Sequence, residues 1–145
     1  MEISELKIFL VDDDPFCTEL YEQHLFNLGY KNIIKFDNGQ DCINQLTEQP
    51  DIVFLDYSMK PLNGLEVLKK IKRFNTDIYL IVISSQEDMQ VAINSLKYGA
   101  FDYIIKKDGD LTMITKTLEK MHSVMELMEK SKPKKWSKIF SVLNL

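Results

Sequence analysis

Short apolar runs alternate along this chain with longer segments in which apolar residues recur every three or four positions. The runs are rich in Ile, Val, Leu, Phe and Tyr, and three are apolar on both faces, as is typical of strands buried inside a sheet. They predict five strands, at residues 7–11, 32–36, 51–55, 78–84 and 101–105. The first intervening segment predicts a helix that is capped by Asp14, has Pro15 in its first position and ends before Gly29. Four further helices are predicted near residues 39–48, 64–74, 87–98 and 110–129.

This order of elements predicts an α/β fold. Five consecutive strand–helix units with strands apolar on both faces imply a doubly wound parallel sheet, covered by helices on each side. In such a sheet, ligands bind at the carboxyl ends of the strands, near the point where the strand order reverses. A chain of 145 residues is expected to form one domain around a single core.

Composition and charge narrow the class of protein. A hydrophobic fraction of 45%, no apolar run near the ~20 residues of a membrane span and no secretory signal predict a soluble, cytoplasmic protein. The net charge of −4 combines −8 in residues 1–110 with +4 in residues 111–145. The acidic body argues against nucleic acid as a specific ligand. Cys17 and Cys42 lack the spacing of a metal site or a disulfide pair, so both are predicted to be free thiols.

Polar side chains follow the predicted strands. The residues at these strand ends are Asp12, Asp13, Asp14, Asp56, Ser84, Ser85, Lys106 and Lys107. Carboxylates gathered at one site repel one another unless a cation joins them, and a ligand set of oxygens alone suits Mg²⁺. Considered alone, each residue can be explained without a functional role. Asp14 is favoured as a helix N-cap, and Lys106 alone would be a solvated charge. Their convergence on one edge of the sheet is what points to a site.

Four segments together resemble the receiver domain of bacterial two-component response regulators, similar to the chemotaxis regulator. They are the pair Asp12-Asp13, the stretch FLDYSMKPLNG after the third strand, Ser84 after the fourth, and GAFDYIIK in the fifth. Their order and spacing match the family across about residues 5–125. The resemblance implies a flavodoxin-like, doubly wound sheet of five parallel strands with five helices.

The resemblance also implies a phosphoryl-transfer site. Asp56 would accept a phosphoryl group from the phosphohistidine of a sensor histidine kinase or a histidine phosphotransfer protein. Mg²⁺ would be held by Asp13, Asp56 and the backbone carbonyl of Ser58, and Asp12 would reach it through water. The ion and Lys106 would offset the charge that develops when an anionic nucleophile meets an anionic phosphoryl group.

A switch is implied around the same site. Ser84 would bind a phosphoryl oxygen and draw the following loop inward, while Tyr103 would turn from exposed to buried. Such a protein is not an enzyme in the usual sense, because it catalyses only its own aspartyl phosphorylation and dephosphorylation. It signals to a downstream protein through the face formed by the fourth helix, the fifth strand and the fifth helix. Ser58 and Gln86 occupy positions that tune the hydrolysis of the acyl phosphate in the family.

Two positions depart from the family pattern. Pro61 falls one place later than usual, with Lys60 in between, so the loop beside Asp56 is expected to have a different shape. Lys107 replaces a proline whose bond to the active-site lysine is normally cis. Because a cis bond before a non-proline residue costs ~3–4 kcal/mol, the bond between Lys106 and Lys107 is either trans, with a rearranged loop, or strained.

The last third of the chain differs from a minimal receiver, and the predicted boundaries are residues 1–130 for the receiver and 131–145 for a tail. A stripe at helical spacing predicts a C-terminal helical extension: Leu111, Ile114, Leu118, Met121, Met125 and Met128. The tail has a basic start, with five lysines between positions 130 and 138, and then an amphipathic pattern: Trp136, Ile139, Phe140 and Leu143. Contact with protein, including a second copy in a homodimer, is favoured over contact with a membrane because the apolar stretch is short. No output domain is expected.

Two other classes stay open on the sequence. A phosphohydrolase of the haloacid-dehalogenase type would use Asp12 as its nucleophile, since Asp12-x-Asp14 fits its strand-end pattern, but no second acid follows Asp110 at the required spacing and no cap domain is visible. A pseudo-receiver would keep the fold as a scaffold without phosphate chemistry. The retained acids and Lys106 argue against that reading, and Lys107 argues slightly for it.

Overall fold

The computed structural model describes residues 2–131, in which each strand of one parallel sheet is followed by a helix. The strands are Lys7–Val11 (β1), Asn32–Phe36 (β2), Ile52–Asp56 (β3), Tyr79–Ser84 (β4) and Asp102–Ile105 (β5). The helices are Pro15–Asn27 (α1), Gly39–Asn44 (α2), Gly64–Phe74 (α3), Met89–Lys97 (α4) and Asp110–Ser131 (α5). The strand order is β2-β1-β3-β4-β5, with every pair parallel. The predicted α/β fold is therefore confirmed.

The burial of each strand follows its position in the sheet. All five residues of β3 are buried, as are four of the five in β1, because both strands lie inside the sheet. No residue of β2 is fully buried, since this strand forms an edge. One apolar cluster joins β1, β3 and β4 to α2 and α3, and its fully buried members include Phe9, Val53, Leu55, Leu68 and Ile71. The runs that were apolar on both faces are thus the central strands.

Short polar side chains begin the first four helices. The carboxylate of Asp14 accepts a hydrogen bond from the backbone N–H of the second residue of α1 at 3.0 Å, which confirms the predicted N-cap. Asn38, Asn63 and Asp88 cap α2, α3 and α4 in the same way. Gly29, just after α1, takes a φ of +105° that side chains with a Cβ rarely adopt. The predicted start and end of α1 are therefore confirmed.

The second helix is shorter than predicted. It ends at Asn44, and a turn of 3₁₀ helix at Leu46–Glu48 follows it. Gln49 then adopts a left-handed conformation with a φ of 57°, and Pro50 comes next. A proline disfavours the helical conformation of the residue before it, so the segment could not continue as one helix.

The described residues divide into two compact units, residues 2–115 and 116–131. In the second unit, α5 continues to Ser131, with Leu118 and Met121 buried and Met128 exposed. The predicted tail, residues 131–145, lies outside the described residues except for Ser131. No helix within residues 2–131 is both long enough and apolar enough to cross a membrane.

The two cysteines are free, as predicted. Burial raises the pKa of Cys17 to about 11 and that of Cys42 to about 12, so both thiols stay protonated near neutral pH. Nε2 of His24 lies 2.8 Å from the hydroxyl of Thr115.

Candidate functional site

Three carboxylates come together at the carboxyl ends of β1 and β3. These strands are neighbours with Val11 opposite Leu55, so Asp12 and Asp56, which follow those two residues, lie side by side. Asp12, Asp13 and Asp56 each offer an oxygen within 4.8 Å of the others. Asp12 and Asp56 are buried, whereas Asp13 is exposed. The structure therefore brings together the three acids that the sequence analysis selected as metal ligands.

Lys106, immediately after β5, reaches across to the same acids. Its Nζ lies 2.7 Å from Oδ2 of Asp12 and 3.4 Å from Oδ1 of Asp56. Burial disfavours the charge of Lys106, but the hydrogen bond to Asp12 and the charge of Asp56 outweigh it and raise the pKa of the amine. Lys106 thus contributes one fixed positive charge to a site that holds three carboxylates.

The bond after Lys106 is trans. Lys60–Pro61 is the one cis peptide bond among residues 2–131, so the alternative of a strained cis bond between Lys106 and Lys107 is wrong. Lys106 reaches both acids from this trans backbone. The side chain of Lys107 is exposed and makes no hydrogen bond or ion pair with another residue of the described range. Of the two adjacent lysines, Lys106 therefore contacts the acids and Lys107 does not.

The electrostatics of Asp56 favour a cation at this place. Burial raises the pKa of Asp56, and the neighbouring Asp12 raises it further. Lys106 and the backbone N–H of Ser58, which lies 3.4 Å from Oδ1 of Asp56, lower it, and the net pKa is about 6. Lys106 alone does not neutralise the three acids, and the exposed oxygen of Asp13 leaves one side of the group open. A hard cation with oxygen ligands fits this donor set.

Backbone contacts hold the acids in place. The N–H of Asp14 donates to Oδ1 of Asp12 at 2.9 Å, which orients that carboxylate. Beyond β3, the N–H of Gly64 donates to the carbonyl of Tyr57 at 2.8 Å. A Cβ at Gly64 would lie 2.5 Å from the Cα of Tyr57, so only glycine permits α3 to begin this close to the residue that follows Asp56.

A second group of predicted residues is joined through Gln86. The N–H of Gln86 donates to the hydroxyl of the buried Ser84 at 3.1 Å, and its side-chain amide donates to the hydroxyl of Ser58 at 3.2 Å. The phenol of Tyr103, which is half-buried, donates to the backbone carbonyl of Gln86 at 2.7 Å. The sequence indicates a tuning position for Gln86 but not this connecting role, because no periodicity reveals hydrogen bonds made by a loop.

Comparison with protein families places most of the chain within a family of signalling domains. The family model for the response regulator receiver domain matches residues 8–119. Transcriptional regulatory protein ZraR of Escherichia coli (strain K12) is 30% identical over 128 residues, which cover 86% of this chain and 29% of that protein. Chemotaxis protein CheY of Bacillus subtilis (strain 168) is 29% identical over 116 residues, covering 77% of this chain and 97% of CheY. The chain thus spans less than a third of ZraR but nearly all of CheY.

Solved structures show the same architecture. CheY in the complex described as CheX-CheY-BeF3-Mg+2 from Borrelia burgdorferi is similar with a TM-score of 0.75 and 25% identity, over 81% of this chain and 89% of the matched chain. A CheY-like receiver domain protein from Methanospirillum hungatei JF-1 also has a TM-score of 0.75, at 22% identity, over 84% of this chain and 98% of its own. The predicted flavodoxin-like sheet with five helices is confirmed.

Proposed function

The chain belongs to the response regulator receiver domain family, and from this premise we propose that it is a phosphoacceptor switch of a two-component system. The proposed phosphate donor is the phosphohistidine of a sensor histidine kinase or of a histidine phosphotransfer protein in the cytoplasm. The observation that carries the proposal is the group formed by Asp12, Asp13 and Asp56 with Lys106 bonded across it.

Asp56 is the proposed nucleophile. Its carboxylate would attack the phosphorus of the phosphohistidine, so that a new P–O bond forms, the P–N bond breaks and the imidazole leaves. A pKa of about 6 for the free carboxyl supports this role, because Asp56 is then mostly ionised at neutral pH yet poorly solvated. Lys106 stays within 3.4 Å of Asp56 and supplies positive charge near the transferred group.

The acids and a nearby backbone carbonyl are proposed to hold Mg²⁺. Asp13, Asp56 and the carbonyl of Ser58 would be the direct ligands, and Asp12 would contribute through water. When bound, the ion supplies positive charge to the phosphoryl oxygens. Asp12 is the residue best placed to connect the proposed Mg²⁺ with the amine of Lys106, because it is buried and already accepts a hydrogen bond from Lys106 at 2.7 Å.

The signal is proposed to leave the site through Gln86. The hydroxyl of Ser84 now accepts a hydrogen bond from the N–H of Gln86, so its turn toward a phosphoryl oxygen would release that amide. The carbonyl of Gln86 accepts from Tyr103, and a shift of the loop would therefore change the environment of the phenol. This is a local charge change that biases an element with two arrangements.

The proposed output surface consists of α4, β5 and the start of α5, with a downstream protein or a second copy of the chain as the partner. Several large apolar side chains of this region are exposed, which supports a role in protein contact: Met89, Ile93, Leu96, Tyr98 and Met113. The role of residues 131–145 and the boundary at residue 130 stay predictions.

The deciding experiment is phosphorylation by acetyl phosphate with and without Mg²⁺. We expect intact-mass spectrometry to show one added phosphoryl group in the presence of Mg²⁺, and peptide mapping to locate it on Asp56. Asp56→Asn should show no adduct, because the amide is not a nucleophile. Asp51→Asn, at the other end of β3, is the matched control and should be phosphorylated like the wild type.

The same experiment separates the other classes. A phosphohydrolase that uses Asp12 would still form its adduct in Asp56→Asn, and that outcome would overturn the proposal. A scaffold without phosphate chemistry would show no adduct in the wild type at any Mg²⁺ concentration. The family match and the ion pair of Asp12 with Lys106 give neither alternative support.

A further inference from the structure

A second cleft, of about 390 Å³, lies between the α2 region and α3. In a parallel sheet built from strand–helix units, the helices run opposite to the strands, so the carboxyl ends of α2 and α3 lie at the edge remote from Asp56. The lining residues come from those helix ends and from the 3₁₀ turn after α2: Ile43, Leu46, Thr47, Lys70, Arg73 and Phe74. The volume is within the range of clefts that accept ligands or a few side chains.

The four cations of α3 are not equivalent. Lys69 places its Nζ 4.2 Å from the ring centroid of Tyr98, and Lys72 donates to two backbone carbonyls beyond the helix at 2.7 and 2.8 Å. Lys70 and Arg73 line the cleft, are exposed, and have neither an ion pair nor a side-chain hydrogen bond with any other residue in the range 2–131. Lys70 and Arg73 therefore place two positive charges at the cleft that no residue in the range 2–131 pairs with.

The apolar part of the cleft is also only partly covered. Leu46 is buried and Ile43 half-buried, but Phe74 leaves 50% of its surface exposed at the end of α3. A large aromatic side chain beside a cationic rim is a combination that is enriched in protein interfaces. The lining therefore combines an apolar floor with two unpaired cations.

Charge decides among the possible occupants. Glu48 and Asp51, which precede β3, are engaged elsewhere, since Glu48 pairs with Lys7 at 3.4 Å and Asp51 accepts from the backbone N–H of Lys7 at 2.8 Å. Residues 132–145 carry four lysines and no acid, so their charge has the same sign as that of Lys70 and Arg73. An occupant from outside must therefore bring negative charge together with apolar side chains.

We propose that this cleft docks an acidic amphipathic segment of a partner protein. Its apolar side chains would pack on Ile43, Leu46 and Phe74, and two carboxylates about one helical turn apart would pair with Lys70 and Arg73. These two cations are three positions apart on a helix and hence share one face, roughly 5–6 Å apart. The site is separate from the phosphoacceptor proposal and does not depend on Asp56.

The probe is a synthetic helical peptide of 14 residues that carries two leucines and a phenylalanine on one face, flanked by glutamates three positions apart. Titration into the full ¹⁵N-labelled chain is followed by amide chemical shifts. We expect shifts centred on the lining residues, and a control peptide with lysine in place of each glutamate should bind at least tenfold more weakly.

Variants make the assignment specific. The double variant Lys70→Glu/Arg73→Glu should lose at least tenfold in affinity for the acidic peptide and gain affinity for the lysine peptide. Lys69→Glu is the control, because it reverses one charge on the same helix but outside the cleft, half the change of charge made by the double variant, and it should lose less than threefold. Phe74→Ser should weaken the binding of both the acidic peptide and the lysine peptide. An amide spectrum of each variant checks its fold.

Three results of the peptide experiments would overturn the proposal. These are the absence of binding by the wild type, an equal loss in Lys69→Glu and the double variant, and peptide-induced shifts on another face. Shifts of the lining residues that follow protein concentration without peptide would identify a second copy as the occupant and would equally count against an acidic partner. Phosphorylation of Asp56 by acetyl phosphate should be unchanged in the double variant, so failure here and failure of the phosphoacceptor proposal are distinguishable.

Discussion

Two aspartates at opposite ends of β3 differ in the groups that surround their carboxylates. Asp51, which precedes β3, is half-buried and accepts a hydrogen bond at 2.8 Å from the neutral backbone N–H of Lys7. Asp56, which ends β3, is 5% exposed and lies beside a second buried carboxylate, and its pKa is raised to about 6. The same side chain thus joins two strands at one end and is crowded by like charge at the other.

Asp51 is therefore a carboxylate that stabilises the fold, whereas Asp56 is one that is crowded by like charge. A hydrogen bond to a backbone amide contributes about 1 kcal/mol and needs nothing further. A buried carboxylate beside another costs stability until a cation arrives. Lys106 provides part of that compensation through its contacts with Asp12 and Asp56.

The largest expected effect is at the crowded end. Lys106→Met should lower the rate of phosphorylation by acetyl phosphate about 100-fold, because it removes a positive group positioned beside the reacting carboxylate. The rate is measured by mass spectrometry at a saturating Mg²⁺ concentration. Lys107→Met, the change of the adjacent exposed lysine, should stay within about twofold of the wild type; equal losses in the two variants would contradict a specific role for Lys106.

Asp56→Asn should stabilise the metal-free protein. At pH 8 the wild type carries a buried charge that the amide lacks, and a rise in pKa from 3.8 to about 6 corresponds to about 3 kcal/mol in the free energy of unfolding. Urea denaturation in the presence of a chelator measures this difference. The matched control is Asp108→Asn, an exposed carboxylate, which should change the free energy by less than about 0.5 kcal/mol.

The gain in the free energy of unfolding from Asp56→Asn should depend on pH. The folded protein holds the proton of Asp56 up to a pKa of about 6, whereas the unfolded chain releases it near the ordinary aspartate pKa of 3.8. Protonation therefore favours the folded state, and the wild type loses this stability as the pH rises through that window. The difference between the two proteins should fall from about 3 kcal/mol at pH 8 to less than about a third of that value at pH 4. A difference independent of pH would assign the gain to packing.

The smallest effect is expected at the other end of the strand, with the opposite sign. Asp51→Ala should lower the free energy of unfolding by about 1 kcal/mol, because the backbone N–H of Lys7 loses its acceptor. The same urea experiment applies, at pH 8 with a chelator. A stabilisation of this variant would abolish the contrast between the two ends of β3.

Much of the fold could be predicted because its signals are local. Asp14 and Pro15 begin α1, and the runs apolar on both faces became β1, β3 and β4. Errors occurred at element ends, as where the helix predicted over residues 39–48 stops at Asn44 and resumes as a 3₁₀ turn. Capping and periodicity act over a few residues, whereas the end of α2 also depends on how the chain turns at Gln49.

The sequence predicts which residues form the candidate site, but it does not predict which contacts they make. Resemblance and strand-end positions selected Asp12, Asp13, Asp56 and Lys106, and the structure brings these side chains together. The closer partner of Lys106 proved to be Asp12, for which the sequence analysis expected contact with the metal through water. Gln86 emerged as the link to Tyr103 only once the loop after β4 was placed.

The order of strands and helices, the caps, and the presence of acids and a lysine at strand ends were determined by the sequence alone, because hydrophobic period and side-chain chemistry are encoded within a few residues. Only the tertiary structure decided that Lys106 crosses 94 positions to pair with Asp12, that its bond to Lys107 is trans, and that Lys70 and Arg73 flank an open cleft. Such distances depend on the twist of the sheet and the packing of every element between them, and no local pattern carries that information.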